Sequence, residues 1–354
     1  MQFDPDILVR ENIKRLTPYS SARSETDSTG CVLLDANENS FGSPLGDQLN
    51  RYPDPYQTEI KKRMAAMNDV EPSQIFIGNG SDEAIDLLFR IFCRPQTDNV
   101  IVCPPTYGMY EVSAAINDIE VRRANLSNGF QLDAKSVKDQ VDENTKLIFV
   151  CSPNNPTGNC VGRKEILSLA RSVNSIVVVD EAYIHFSDDV SLVSEIKNFP
   201  NLVVLQTFSK AWGLAGLRVG VAFARRQIVD YFNKVKPPYN VSRAAQDLLL
   251  SALDRRSDLD KTVSVTVEQR EMLKRALVEF SFVQTVYPSD ANFLLVKCDQ
   301  PVETRAFLLQ QGIIVRDRSR VELCEGCLRI TVGIPEENEA LINTLKEYEK
   351  SIVH

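Results

Sequence analysis

What this chain is short of narrows its function first. Only two histidines, His185 and His354, occur among its 354 residues, too few for a histidine-based metal site. Eight cysteines are present, but only Cys324 and Cys327, in "CEGC", stand close together. Without a second pair, a zinc site lacks ligands. The pair reads as structural, with a redox role as the alternative. Cys103 and Cys151 follow apolar, strand-like runs, which suits reduced thiols in a cytoplasm better than disulfides. Positive charge is not in surplus: 40 Lys and Arg against 48 Asp and Glu leave a formal charge of -8. Nucleic acid and anionic membrane surfaces are therefore unsuitable partners. No apolar run approaches the ~20 residues of a membrane span. The opening "MQFDPDILVRENIKRL" has no apolar block of a signal peptide, so a cytoplasmic location is expected. Two glycine signatures are also missing. No G-x-x-x-x-G-K-[ST] occurs, which excludes a P-loop, and in "GNGSDE" Glu83 stands where G-x-G-x-x-G has its last glycine. That argues against a nicotinamide dehydrogenase.

What is present is ordinary in bulk and ordered in detail. Hydrophobic residues make up 43% and charged residues 25%, as in globular proteins generally. The length suits a large domain with a smaller one. Residues 1–45 read as an arm rich in turn residues towards its end. The stretch "YQTEIKKRMAAMN" is helix-like. From about residue 75, short apolar runs end in turns and helical patterns follow. In "QIFIGNGSDEAIDLLFRIF", Ile85, Leu88, Phe89 and Phe92 recur at helical spacing, and Ser81 is placed to cap that helix. The runs "VIVC", "LIFVC", "IVVVD" and "LVVLQ" do not alternate. They suit strands buried on both faces of a mainly parallel sheet, hence an α/β class. After "KPPYNVSRAAQ" the texture changes. A long helical stretch over about 243–281 leads into strand, helix, strand, strand, helix. The expected division is an arm (1–45) contributing to a small domain and a dimer contact, a large domain (46–242) and a small α+β domain (243–354).

Open α/β sheets bind ligands beyond the carboxyl ends of their strands, and the polar residues cluster there. Asn79-Gly80-Ser81-Asp82, Thr106-Tyr107, Asn154-Asn155, Asp180-Glu181-Ala182-Tyr183, and Thr207, Ser209 and Lys210 each follow an apolar run. Each has a plain reading as a turn, a cap or a solvated side chain. Together they describe one crevice for a small anion. A helix start binds anions through free N–H groups and its dipole. A desolvated lysine near other cations has a lowered pKa and forms Schiff bases with aldehydes. An acid opposite it holds a pyridinium nitrogen protonated. That set fits pyridoxal 5′-phosphate.

The motifs "LTPYSSAR", "LDANENSFG", "NRYPDPY", "GNGSDEAIDLL", "CPPTYGMY", "CSPNNPTGN", "VVVDEAYIHF", "TFSKAWGLAGLRVG" and "GCLRITVG" resemble, in order and over nearly the whole chain, the fold type I pyridoxal-phosphate enzymes. Within them they are most similar to the histidinol-phosphate aminotransferase branch. The resemblance implies a mainly parallel seven-stranded sheet and a Schiff base on Lys210. It implies Asp180 at the pyridine nitrogen, Tyr183 and Asn155 at the ring oxygen, and Tyr107 on the ring face. Ser81, Asp82, Thr207, Ser209 and Arg218 would surround the cofactor phosphate, with Tyr52 reaching it from the other subunit of a homodimer. Arg329, Arg316 and Tyr19 would bind substrate. The implied reaction is ping-pong transfer of an amino group between L-histidinol phosphate and 2-oxoglutarate, giving imidazole acetol phosphate and L-glutamate. An aromatic amino-acid aminotransferase and a threonine-phosphate decarboxylase share these cofactor motifs.

Overall fold

The computed structural model describes residues 3–19, 31–45 and 48–352. Short helix α1 (Glu11–Arg15) precedes α2 (Thr58–Asn68), β1 (Ile75–Gly78) and α3 (Ser81–Phe92). Alternation of strand and helix then continues through β2 (Asn99–Val102), α4 (Met109–Ile116), β3 (Glu120–Arg123), α5 (Ala134–Asp139), β4 (Thr145–Cys151), α6 (Arg163–Ser172), β5 (Ile176–Asp180), β6 (Leu202–Thr207), β7 (Gly220–Ala224) and α7 (Arg226–Val235). These strands form one seven-stranded sheet in the order β1-β7-β6-β5-β4-β2-β3. β7 runs antiparallel to both its neighbours, and the pairings of β6, β5, β4, β2 and β3 are parallel. Strands β1, β2, β4, β5, β6 and β7 are buried along their whole length, because helices cover both faces. The β3 sequence "EVRR" is a half-exposed edge strand. Its polar residues are why no apolar run marks it.

The predicted helical face of α3 holds: Ile85, Leu88, Phe89 and Phe92 are all fully buried. Its start is shifted, however. Gly80 occupies the cap position with φ 78°, and Ser81 is the first helical residue. The backbone amide of Ser81, rather than a capping hydroxyl, thus begins the helix.

Beyond residue 242 the expected single helical stretch is two helices, α8 (Arg243–Leu253) and α9 (Arg256–Leu277), broken at Asp254 and Arg255. The run "VQTVYPSDANFLLVKC" is likewise a hairpin of β8 (Val283–Val286) and β9 (Phe293–Cys298), not one strand. With α10 (Pro301–Gln310), β10 (Arg316–Asp317), β11 (Cys327–Thr331) and α11 (Pro335–Ile352), these build a four-stranded sheet in the order β10-β11-β9-β8. It has its own core around Leu294, Leu308, Leu328 and Leu345. Cys324 and Cys327 form a turn, with the Cys327 amide donating to the Cys324 carbonyl at 3.0 Å. Burial pushes their thiols up to about 12 and about 11, so neither is a thiolate at neutral pH.

The arm begins on the large layer. Val9 and Ile13 join the core of α3 and α7, and Tyr231 donates to Asp6 at 3.0 Å. The described contacts of residues 3–15 run to that layer. Among the described residues, no helix is long and apolar enough to cross a membrane.

Candidate active site

Asp180 ends β5 and Thr207 ends β6, so parallel pairing delivers both to one edge of the sheet. The turn after β1 and the loop after β4 arrive at the same edge. There a cavity of about 450 Å³ opens between the two sheets. Its lining includes Ser81, Asp82, Tyr107, Asn155, Asp180, Tyr183, Thr207, Ser209, Lys210, Arg218, Arg316 and Arg329. The residues chosen from the sequence are thus brought together, apart from Tyr52 and Tyr19. Tyr52 stacks on Tyr239 with centroids 4.4 Å apart, and its amide donates to Glu38 at 2.7 Å. Tyr19 is exposed and borders a separate hollow with Pro55 and Lys234.

At the phosphate-like end, Arg218 adopts the left-handed conformation, with φ 55°. Its guanidinium donates to Ser209 Oγ at 3.4 Å and lies 3.5 Å from Asp82. The Ser209 amide donates to Thr207 Oγ1 at 3.1 Å. The start of α3 closes the same corner, and two glycines permit the approach. A Cβ on Gly220 would fall on the Ser81 nitrogen and the Gly80 carbonyl carbon, and one on Gly80 would meet Arg218. Backbone amides, two hydroxyls and a guanidinium therefore surround a space suited to an anion.

Asp180 is buried, and burial pushes its carboxyl up to about 6 despite two hydrogen bonds. Tyr110 donates to it at 2.7 Å and the Ala182 amide at 3.1 Å. Tyr110 stacks on Phe149, which fixes its hydroxyl. Lys210 opens onto the cavity 5.6 Å from the centre of the Tyr183 ring. Burial, and next Arg329, push its ammonium below the ordinary value, against the pull of Asp180 and Asp82. Asn155 donates to the Tyr183 hydroxyl at 3.4 Å and accepts from Arg329. Tyr107 donates to Asp82 at 3.3 Å. Burial raises the Tyr107 and Tyr183 phenols well above their usual range, so both remain neutral donors.

Sequence reasoning missed two residues here. Tyr110 lies three positions past Tyr107 in a quoted motif, yet only the fold shows that it meets Asp180. Arg318 also lines the cavity. Its signal was the alternation in "VRDRS", two residues beyond Arg316.

Comparison with known proteins agrees with this architecture. The family model described as aminotransferase class I and II matches residues 27–345. The histidinol-phosphate aminotransferase of Cytophaga hutchinsonii is 47% identical over 348 residues, covering 98% of this chain and 100% of that protein. The protein of the same name from Parabacteroides distasonis is 49% identical over 339 residues, covering 96% and 97%. The solved structure of histidinol-phosphate aminotransferase from Sinorhizobium meliloti, in complex with pyridoxal-5′-phosphate, superposes with a TM-score of 0.79 at 22% identity, covering 97% of this chain and 98% of that one. At that identity the likeness shows the fold, a fold type I pyridoxal-phosphate architecture. The family match and the near-full-length relatives go further: the chain belongs to the aminotransferase class I and II family.

Proposed function

We propose that the chain is a pyridoxal-phosphate-dependent aminotransferase acting between L-histidinol phosphate and 2-oxoglutarate. The observation that carries this is the pairing of Lys210 with Asp180 across one cavity whose other corner is a ready anion cradle. The residues fit the cofactor. Asp180 is a buried acid with neutral donors, so a cationic ring nitrogen would complete it. The cradle tolerates no side chain at Gly80 or Gly220, where a Cβ would collide with Arg218 or with the Gly80–Ser81 backbone. The names of the full-length relatives point to histidinol phosphate as one of these substrates.

When bound, pyridoxal 5′-phosphate supplies an electron sink that lets the Cα–H bond of an amine substrate break heterolytically. Ser81, Thr207, Ser209 and Arg218 would hold its phosphate, with Asp82 at the edge of the helix start. Tyr107 would flank its ring, and Asn155 and Tyr183 would donate to its ring oxygen. Asp180 would keep the ring nitrogen protonated. Lys210 Nζ, with its lowered affinity for a proton, would take the proton from the substrate Cα as a base and then, as an acid, deliver it to the cofactor carbon that carries the transferred nitrogen. Arg329 and Arg316 bind the anionic end of the substrate, and Tyr19 is a further candidate there. One site serving two substrates in turn implies ping-pong kinetics.

The active form is a homodimer in the cytoplasm, with Tyr52 supplied across the subunit boundary. Support comes from the arm: Val32, Leu34 and Phe41 are all more than four-fifths exposed, an apolar surface that suits a partner.

The test is an assay of the purified protein loaded with cofactor. Histidinol phosphate plus 2-oxoglutarate should yield glutamate. Faster turnover of phenylalanine, or carbon dioxide released from threonine phosphate, would replace this reading with the corresponding relative.

A further inference from the structure

The wall of the cavity supplied by the small sheet carries one cation more than the two considered above. Arg316 and Arg329 are register partners across β10 and β11, and directly opposed residues project to the same face. Arg318 lies two positions beyond Arg316, so strand alternation returns it to that face. Its amide donates to the Cys327 carbonyl at 2.8 Å, extending the ladder. All three arginines line the cavity.

They are gathered without counter-charge. Among the described residues, Arg329 has Asn155 as its side-chain acceptor, while Arg316 and Arg318 have none. Among the described residues, none of the three forms an ion pair with a carboxylate. Arg318 Nε is buried with no hydrogen-bond partner. Burial, then Arg329, then Arg316, push the Arg318 guanidinium below its ordinary value. Crowded, desolvated like charges weaken a fold. An anion among them removes both the repulsion and the orphaned donor.

We propose that Arg318 is a specificity-determining residue that contacts the anionic end of the substrate and favours a phosphate over a carboxylate. Two arginines suffice for a single negative charge held in a fork. The third matches the second negative charge and the additional oxygen of a phosphate. This assignment rests on the aminotransferase reading above.

The test uses the holoenzyme in single-turnover half-reactions with histidinol phosphate, histidinol or glutamate as the only donor. Arg318→Gln should raise the half-saturation concentration for histidinol phosphate by about tenfold to a hundredfold, the range for a lost hydrogen bond to a charged group, with the limiting rate nearly kept. The constants for histidinol and glutamate should move by less than about fivefold. Arg318→Lys, which keeps the charge and loses the fork, should recover part of the phosphate preference. An unchanged constant for histidinol phosphate, or an equal change for all three donors, overturns the assignment. A wild-type enzyme unreactive towards histidinol phosphate would sink the aminotransferase reading as well. A reactive wild type beside an unaffected Arg318→Gln variant sinks this assignment alone.

Discussion

Asp180 shows how a single residue trades stability for chemistry. Its folded carboxyl sits at about 6, above the ordinary 3.8. As pH rises from about 4 to about 6, the unfolded chain releases this proton first. The contribution of Asp180 to stability therefore falls through that window and stays low above it. The gap corresponds to about 3 kcal/mol at most. Asp180→Asn should thus stabilise the cofactor-free protein above pH 6. The gain should be smaller, about 1–2 kcal/mol, because one amide oxygen must replace two carboxylate oxygens as acceptor for Tyr110 and Ala182. Urea melts at pH 8 and pH 5 check this: the gain should shrink at pH 5, and equal midpoints for wild type and variant at pH 8 would contradict it. Transamination by the same variant should fall by about a hundredfold or more, since a neutral amide cannot hold the ring nitrogen protonated. Asp180 was legible as a strand-end acid. Tyr110 was not, because its meeting with Asp180 spans 70 residues and depends on how α4 lies on the sheet.

At the scale of elements, the anion cradle depends on how closely β7 approaches the start of α3. Gly220 ends that approach backbone against backbone, so no side chain can move aside. Gly220→Ala should cost about 1–3 kcal/mol or more by overpacking. It should also displace the Ser81 amide and weaken cofactor binding by about tenfold or more. Val221→Ala, one residue along in the core, should lose comparable stability through a cavity while keeping cofactor affinity. Thermal melts and cofactor titrations of both variants separate the two effects. If Gly220→Ala bound cofactor as the wild type does, the close approach would be irrelevant to the cradle. Such elements divide by legibility for physical reasons. Strands β2, β4, β5 and β6 announce themselves because burial on both faces demands unbroken apolar runs. The reversed direction of β7 leaves no mark, since an antiparallel strand buried on both faces reads the same way. Arg318 shares a face with Arg316 by alternation alone, but placing Arg329 opposite required the register of β10 and β11, which local sequence does not carry.

At the scale of the whole molecule, Tyr52 poses the question of where an active site ends. It faces Tyr239 and the Glu38 segment, away from the cavity of its own chain, and its ring is half exposed. If Tyr52 serves the cavity of a second copy, each site is assembled from two chains, and neither chain is complete alone. Lys210→Ala removes the proposed base and should reduce activity by about a thousandfold. Tyr52→Ala should weaken the cofactor held by the other subunit, with a loss visible at low cofactor concentration. The two defects then fall in the same site of a mixed dimer. One site has neither Lys210 nor its facing Tyr52, and the other has both. Equal amounts of the two variants, unfolded together and refolded, should pair at random, making about half the dimers mixed and restoring about a quarter of wild-type activity. Simple mixing without exchange of subunits should restore none. Activity after refolding that merely equals the average of the separate variants would show that each chain builds its site by itself, and Tyr52 would then belong to the packing of the arm.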